Sequence, residues 1–221
     1  MMMNCRESLG AMFLLGMLAS SGAQAQYYLG VEAGRERLSF RPEYSYVNGD
    51  PNDRYDNRAH GAVLGAVGGY RWQSAGDFSL GLEGRLSVSN TDWELTLPEP
   101  ARFRYDVPVS VAVGLLPTYR VTENFSLFAE TGLALGKIRE RKTTSNATRS
   151  RYDVSTWRPG FVAGVGMRYA MGDGWSVRAG YRRTWYKEHD FNTHRADGSQ
   201  VEAVSSKVVQ STVTLGLMRE F

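Results

Sequence analysis

Several ordinary means of holding a protein together, or of fixing it to a membrane, are missing from this 221-residue sequence. It has a single cysteine, Cys5, so no intrachain disulfide can form. Beyond Gln26 no stretch approaches the run of about eighteen apolar residues that a membrane-spanning helix needs, and the mean hydropathy is −0.37. Neither sign of charge dominates. The 26 basic and 23 acidic residues are spread along the chain without a polybasic tail, so nothing implies a nucleic-acid partner. Disorder is excluded as well, because 42% of the residues are hydrophobic and 12% aromatic. One domain is the expectation for this length.

The first twenty-five residues follow their own rules. Arg6 precedes an apolar run from Leu9 to Ala19, and small residues lead into Ala23-Gln24-Ala25. This pattern predicts a secretory signal peptide over residues 1–25, cut before Gln26, with the domain occupying residues 26–221. Cys5 sits before the apolar run rather than after it, which argues against a lipoprotein anchor.

What the mature chain has in quantity is alternation. Tyr27, Leu29, Val31 and Ala33 share one face, against Tyr28, Gly30, Glu32 and Gly34. "GAVLGAVGGYRW" repeats the pattern from Gly61 to Trp72, and "FSLGLEGRLSVS" sets Phe78, Leu80, Leu82, Leu86 and Val88 against Glu83 and Arg85. Further segments follow from Tyr105 to Arg120, with Val107 and Val109 on the apolar side, and from Phe125, Gly160, Trp175 and Val209 onward. Each runs for about ten residues, and period two over that length reads as a half-buried β-strand. Short turns at Gln73–Asp77, Thr122–Asn124 and Gly172–Gly174 interleave with longer polar segments at Arg41–Ala59, Glu94–Arg102, Glu140–Thr156 and Glu188–Ser206. Eight strands joined in this way form an antiparallel up-and-down meander, and closing it into a barrel removes the unpaired edges.

The composition of the two faces decides which solvent each one meets. A soluble barrel of the lipocalin kind would fill its interior with the apolar set, and a sandwich would simply solvate the polar set. Here one face is almost wholly Val, Leu, Ala and Phe, while the other mixes Gly, Ser and Thr with charges that can pair. A narrow eight-stranded interior suits the glycine-rich face. The apolar face then points outward, its band ending at Tyr27, Tyr70, Trp72, Phe78, Tyr119, Phe125, Tyr169 and Trp175, which suits lipid flanked by interfacial aromatics. Only a helix or a closed sheet can satisfy backbone amides in a bilayer core. The fold expected is therefore an all-β, eight-stranded antiparallel transmembrane β-barrel in the outer membrane of a Gram-negative cell.

With "YYLGVEAG", "GGYRW" and the terminal "STVTLGLMREF" in view, the chain resembles the small outer-membrane barrels of the OmpA, OmpX and opacity-protein type. The resemblance covers residues 26–221. It implies that Val213, Leu215, Leu217 and Phe221 form a C-terminal signal for the outer-membrane assembly machinery, with Arg219 standing where an apolar residue or tyrosine is usual. The family it resembles includes structural anchors, adhesins, small pores and a few lipid-modifying enzymes, so the resemblance specifies architecture more sharply than activity.

Inside the expected barrel, Glu32, Glu83 and Glu130 each follow five residues after a strand-opening aromatic, which sets three carboxylates at similar depth. Arg85, Arg168, Arg178 and Arg182 occupy inward positions near them. Charges in so narrow a space must pair or meet water. Two readings follow: a packed ion-pair layer that fills the lumen, and a gated, porin-like passive channel in which exchange of Glu and Arg partners opens a water path. His189 and His194 fall in a polar segment whose spacing matches no metal motif. His194 with Ser199 makes only a weak case for a lipid A-modifying enzyme. "GLALGKI" and "GVGMRY" are incomplete phosphate and dinucleotide fingerprints.

The reading is therefore of a non-enzyme with no catalytic residues, metal or cofactor, acting structurally or as an adhesin-like or opacity-like surface antigen. Its partners are outer-membrane lipid and lipopolysaccharide, the assembly machinery, and an extracellular ligand met through the loops. Arg54, Arg58, Arg139, Arg141, Lys142, Arg149 and Arg151 are candidates to meet lipopolysaccharide phosphates at the rim.

Overall fold

Residues 25–46, 57–73, 76–96, 101–144, 151–194 and 200–221 are described by a computed structural model of the chain. Residues 1–24, Arg54, Arg149 and Ser199 lie outside the described residues. Ten strands follow in order: β1 (Ala25–Tyr46), β2 (Asn57–Gln73), β3 (Phe78–Ser89), β4 (Asp92–Thr96), β5 (Ala101–Arg120), β6 (Phe125–Thr144), β7 (Arg151–Gly172), β8 (Trp175–Tyr186), β9 (His189–His194) and β10 (Gln200–Glu220).

Eight of them are staves of one closed barrel. Each of β1, β2, β3, β5, β6, β7, β8 and β10 pairs antiparallel with its neighbours in turn. β1 and β10 close the ring along a seam from Tyr28 opposite Glu220 to Tyr46 opposite Glu202. The terminal amide of Phe221 adds a bond to the Tyr27 carbonyl at 2.9 Å. The two short strands are additions: β4 pairs with β5, and β9 with β10.

The staves are longer than the ten-residue alternation suggests, reaching 22 residues in β1 and β7. They take up parts of the polar segments read as connections, including Arg41–Tyr46 and Arg151–Thr156. His189 and His194 likewise bound a strand rather than lie in a loop. The reason is that antiparallel pairing satisfies the backbone whatever the side chains, so a hairpin continues past the point where lipid requires it. The opposite end is tight. Gly172, Asp173 and Gly174 turn the chain from β7 to β8 with φ of 96°, 50° and 73°, a left-handed path that glycine adopts freely and aspartate tolerates.

Side chains are partitioned inside-out relative to a water-soluble protein. Val31 and Leu215 are each 64% exposed on the outer surface, while Glu83 is 2% exposed within. One residue departs from the alternation. β5 carries an extra residue between Asp106 and Val109, opposite Arg139 to Lys137 of β6. Such a bulge resets the parity of the strand, and Pro108, which has no N–H to lose from the ladder, sits in it. Val107 therefore turns inward and is buried, where alternation alone had placed it on the lipid face.

The depth of the outer band sets the cost of charge upon it. Val31→Arg, midway between Tyr27 and Arg35 on the outward row of β1, is expected to destabilise the barrel by about 2–4 kcal/mol in urea unfolding from lipid vesicles, and Tyr27→Arg by at most about 1 kcal/mol. Equal costs at the two depths would contradict a membrane-embedded outer face.

Candidate functional site

Period two on β1, β3, β6 and β8 carries Glu32, Glu83, Arg85, Glu130, Arg178 and Arg182 into the lumen, and all six are buried. The structure brings them into one layer. Arg178 grips Glu83 with both guanidinium nitrogens, Nη1 to Oε2 and Nη2 to Oε1, the second at 2.9 Å. Arg85 forks onto Glu130 at 2.6 and 3.2 Å, reaches Glu83 Oε1 at 2.5 Å, and lies 3.2 Å from Glu32 through Nε. Arg182 pairs with Glu32 and also donates to Thr214 Oγ1 at 3.3 Å. The Tyr28 hydroxyl donates to Glu83 Oε2 at 2.8 Å, and the Arg178 guanidinium lies over the Phe128 ring at 4.9 Å. Three carboxylates face three guanidiniums, so the layer is neutral, and the forked geometry suits strong charge-assisted bonds.

Arg168 does not join this layer. It lies nearer the tight-turn end, where it pairs with Glu220, and Arg71 approaches the same carboxylate at 3.4 Å. Parity placed Arg168 inside correctly, but its height follows from the stagger between strands, which spacing along one strand does not reveal.

Two further groups were not singled out by the sequence. Above the ion pairs, the buried Glu36 accepts from Gln210 Nε2 at 2.5 Å and from Ser89 Oγ at 3.0 Å, while Tyr186 donates to Gln210 Oε1 at 2.6 Å. Glu36 shares the parity of Glu32 four residues earlier, the one signal that could have found it. Above that lies an apolar layer of Leu38, Phe40, Ala59, Val107, Ile138 and Val208, with the ring of Tyr186 beneath it. Leu38 is 0% exposed. At the opposite end Tyr28, Val67 and Met218 pack together.

Two voids border the charged layer, each of about 20 Å³. One touches Tyr28, Arg71, Thr118, Arg168 and Glu220, the other Arg85, Ser87, Ser110, Thr184 and Gln210. Each has room for about one water molecule.

On the outer surface Tyr27, Tyr70, Trp72, Phe78, Tyr119, Phe125, Tyr169 and Trp175 all lie toward the tight-turn end. The Tyr27 and Tyr70 rings meet edge to face at 5.0 Å, Tyr70 and Trp72 at 4.7 Å, and Phe78 meets Tyr119 at 4.9 Å. The aromatics of the other margin include Trp157, Phe161, Tyr181 and Trp185, all outward-facing and exposed, and Phe161 stacks on Trp185 at 6.1 Å. Trp157 and Trp185 lie just outside the alternating stretches read from the sequence. Val213, Leu215, Leu217 and Phe221 form an exposed row on β10, and Arg219, on the same row, lies over Trp175 at 5.2 Å while donating to the Asp173 carbonyl.

A family model described as outer membrane protein beta-barrel domain matches residues 9–221 of the chain. No curated protein matches. Among solved structures, the chain is similar to the outer membrane protease OmpT from Escherichia coli, with a TM-score of 0.55 and 10% identity over 93% of this chain and 99% of that one. It is similar to a major outer membrane protein from Thermus thermophilus, with a TM-score of 0.53 and 12% identity over 89% and 99%. Ail, the attachment invasion locus protein of Yersinia pestis, matches with a TM-score of 0.41 and 15% identity over 86% and 98%. At these identities the likeness is one of fold.

Truncating one member of the ion-pair layer leaves its partners buried and uncompensated. Glu83→Ala is expected to cost about 3–5 kcal/mol, and the double change Glu83→Leu with Arg178→Leu to recover part of that loss, both measured by unfolding in detergent micelles. A Glu83→Ala barrel as stable as the parent would show that the layer carries no structural weight.

Proposed function

The chain belongs to the outer membrane protein beta-barrel domain family, and from that premise we propose that it is a sealed outer-membrane anchor that works through its extracellular rim and loops. The observation that carries this reading is the filled lumen. A neutral ion-pair layer lies between an apolar layer on one side and Tyr28, Val67 and Met218 on the other. An ion entering from the long-strand end would have to displace Leu38, Val107, Ile138 and Val208 before meeting forked Arg–Glu pairs. That supports the packed-layer reading over a passive channel, and with it a structural or surface-interaction role.

In this reading residues 1–25 are a signal peptide removed before Gln26, so that both ends of the mature chain and the tight turns are periplasmic. Val213, Leu215, Leu217 and Phe221 serve as the signal to the assembly machinery, an assignment supported by their alignment on one outward row that ends at the closing seam. Loop ligands and lipopolysaccharide are the partners, and the protein is not an enzyme. Its similarity to OmpT concerns the fold and brings no proteolytic chemistry with it.

Reconstituted in planar bilayers, the full mature chain is expected to remain electrically silent, while replacement of residues 47–56 by a short turn abolishes adherence of expressing cells to an epithelial monolayer without loss of the heat-modifiable folded band. Steady unitary conductance together with unchanged adherence would overturn the reading. Phe221→Ala is expected to lower the folded yield in the outer membrane several-fold, and a yield equal to that of the parent would remove the assignment of an assembly signal.

A further inference from the structure

The outer surface above the apolar band is not uniform in charge. On four adjacent staves, β8, β10, β1 and β2, one rung sets Arg183, Ser211, Arg37 and His60 side by side. The rung below holds Tyr181, Val213, Arg35 and Ala62. Beneath that come Ala179, Leu215, Ala33 and Leu64, fully apolar. The rung above holds Trp185, Val209, Ser39 and Arg58. Arginines thus cluster where the aliphatic surface ends.

Neutralisation by the protein is sparse here. Among the described residues Arg35, Arg37 and Arg183 have no salt-bridge partner, and the nearby Glu188 lies 3.1 Å from Lys207. Around the barrel the corresponding acids are already taken, Asp92 by Arg104 at 2.8 Å and Asp106 by Arg139 at 4.0 Å. Arg37 is half-buried, and its Nε is buried with no hydrogen-bond acceptor. Arg183 is exposed and lies over the Trp185 ring at 5.4 Å, which holds its guanidinium at the margin of the band. Since neighbouring strands lie about 4.8 Å apart, the backbones that carry Arg37 and Arg183 lie roughly 10 Å apart, with Ser211 between them.

The geometry points to a lipid site on this face for a phosphorylated glycolipid of the outer leaflet, namely the lipid A part of lipopolysaccharide. Its phosphates are held by Arg37, Arg183 and Arg35, and its acyl chains lie along Val213, Leu215, Val31 and Leu64. A guanidinium offers a phosphate two parallel donors, and a partly desolvated margin strengthens each of them. The small side chains Ala33, Ala62 and Ala179 alternate with the exposed Val213, Leu215 and Leu64 along these rungs. This deepens the proposed lipopolysaccharide partnership, resting on the reading of the long-strand end as extracellular, and moves it from the loop arginines to the barrel wall.

The test is titration of the folded full mature chain in micelles with bisphosphorylated lipid A, enzymatically dephosphorylated lipid A and phosphatidylglycerol, read by native mass spectrometry. The Arg37→Gln, Arg183→Gln double variant is expected to bind bisphosphorylated lipid A about tenfold or more weakly. Arg120→Gln, which removes an exposed cation at the opposite rim, is expected to leave that affinity unchanged, and dephosphorylated lipid A to bind the parent no better than bisphosphorylated lipid A binds the double variant. If the double variant fails to show the folded, heat-modifiable band, Arg183→Gln alone is expected to lose several-fold affinity. A folded variant with parental affinity, an equal loss in Arg120→Gln, or equal affinity for phosphatidylglycerol would overturn the site. Replacement of residues 47–56 separates the two proposals, because it is expected to remove adherence and leave lipid A binding intact.

Discussion

Closure of the sheet is the constraint on which everything else in this molecule depends. Hydrocarbon offers no partner to a backbone amide, and an open sheet of eight staves would leave two edges unpaired. The seam between β1 and β10 answers this over nineteen residue pairs, ending with the amide of Phe221 on the carbonyl of Tyr27. Once the ring is closed, every side chain must point either to lipid or into a space too narrow for bulk water. The outer row becomes Val, Leu and Ala because lipid rewards them. The inner row becomes glycine, hydroxyl and charge because little else fits and because paired charges bond across the lumen.

The interior is accordingly built as a stack rather than as a tube. Glu83 of β3 and Arg178 of β8 come from opposite parts of the wall, and Arg85 of β3 reaches Glu130 of β6 past the intervening β5, so the central layer ties staves that share no backbone bonds. Buried pairs of this kind do little for stability compared with an apolar filling, yet losing one partner is costly. Their effect is to specify register: a one-residue slip of β8 against β7 or β10 would turn Arg178 and Arg182 to the lipid and leave Arg85 alone to face Glu32, Glu83 and Glu130. Leu38, Val107, Ile138 and Val208 then close the stack toward the long-strand end.

How much of this could be read from residues alone depended on which kind of information was needed. Parity is local, and period two identified the inward and outward sets of the staves everywhere but at the bulge in β5, including Glu32, Glu83, Arg85, Glu130, Arg178 and Arg182. Height around a barrel is not local. Arg168 shares the inward parity of its neighbours, but the stagger of β7 carries it to Glu220, away from the central carboxylates. The inward turn of Val107 was invisible for a different reason, since valines continue on both sides of the bulge and the residue types show no break. The aromatic margin formed by Trp157 and Trp185 went unread because both residues fall in the gaps between the alternating stretches and the polar segments Glu140–Thr156 and Glu188–Ser206.

The bulge in β5 has a mechanical meaning for how such a wall can change. Below Val109 the stave is locked in phase with its neighbours, since any slip exchanges grease for charge. Above Asp106 that phase has already been broken once, with Pro108 at the joint. The upper part of β5, where it pairs with β4 and β6, is thereby released from the phase of the membrane belt, so a change of length in the connection between β4 and β5 can be absorbed at the joint, leaving the belt and the ionic stack beneath it undisturbed.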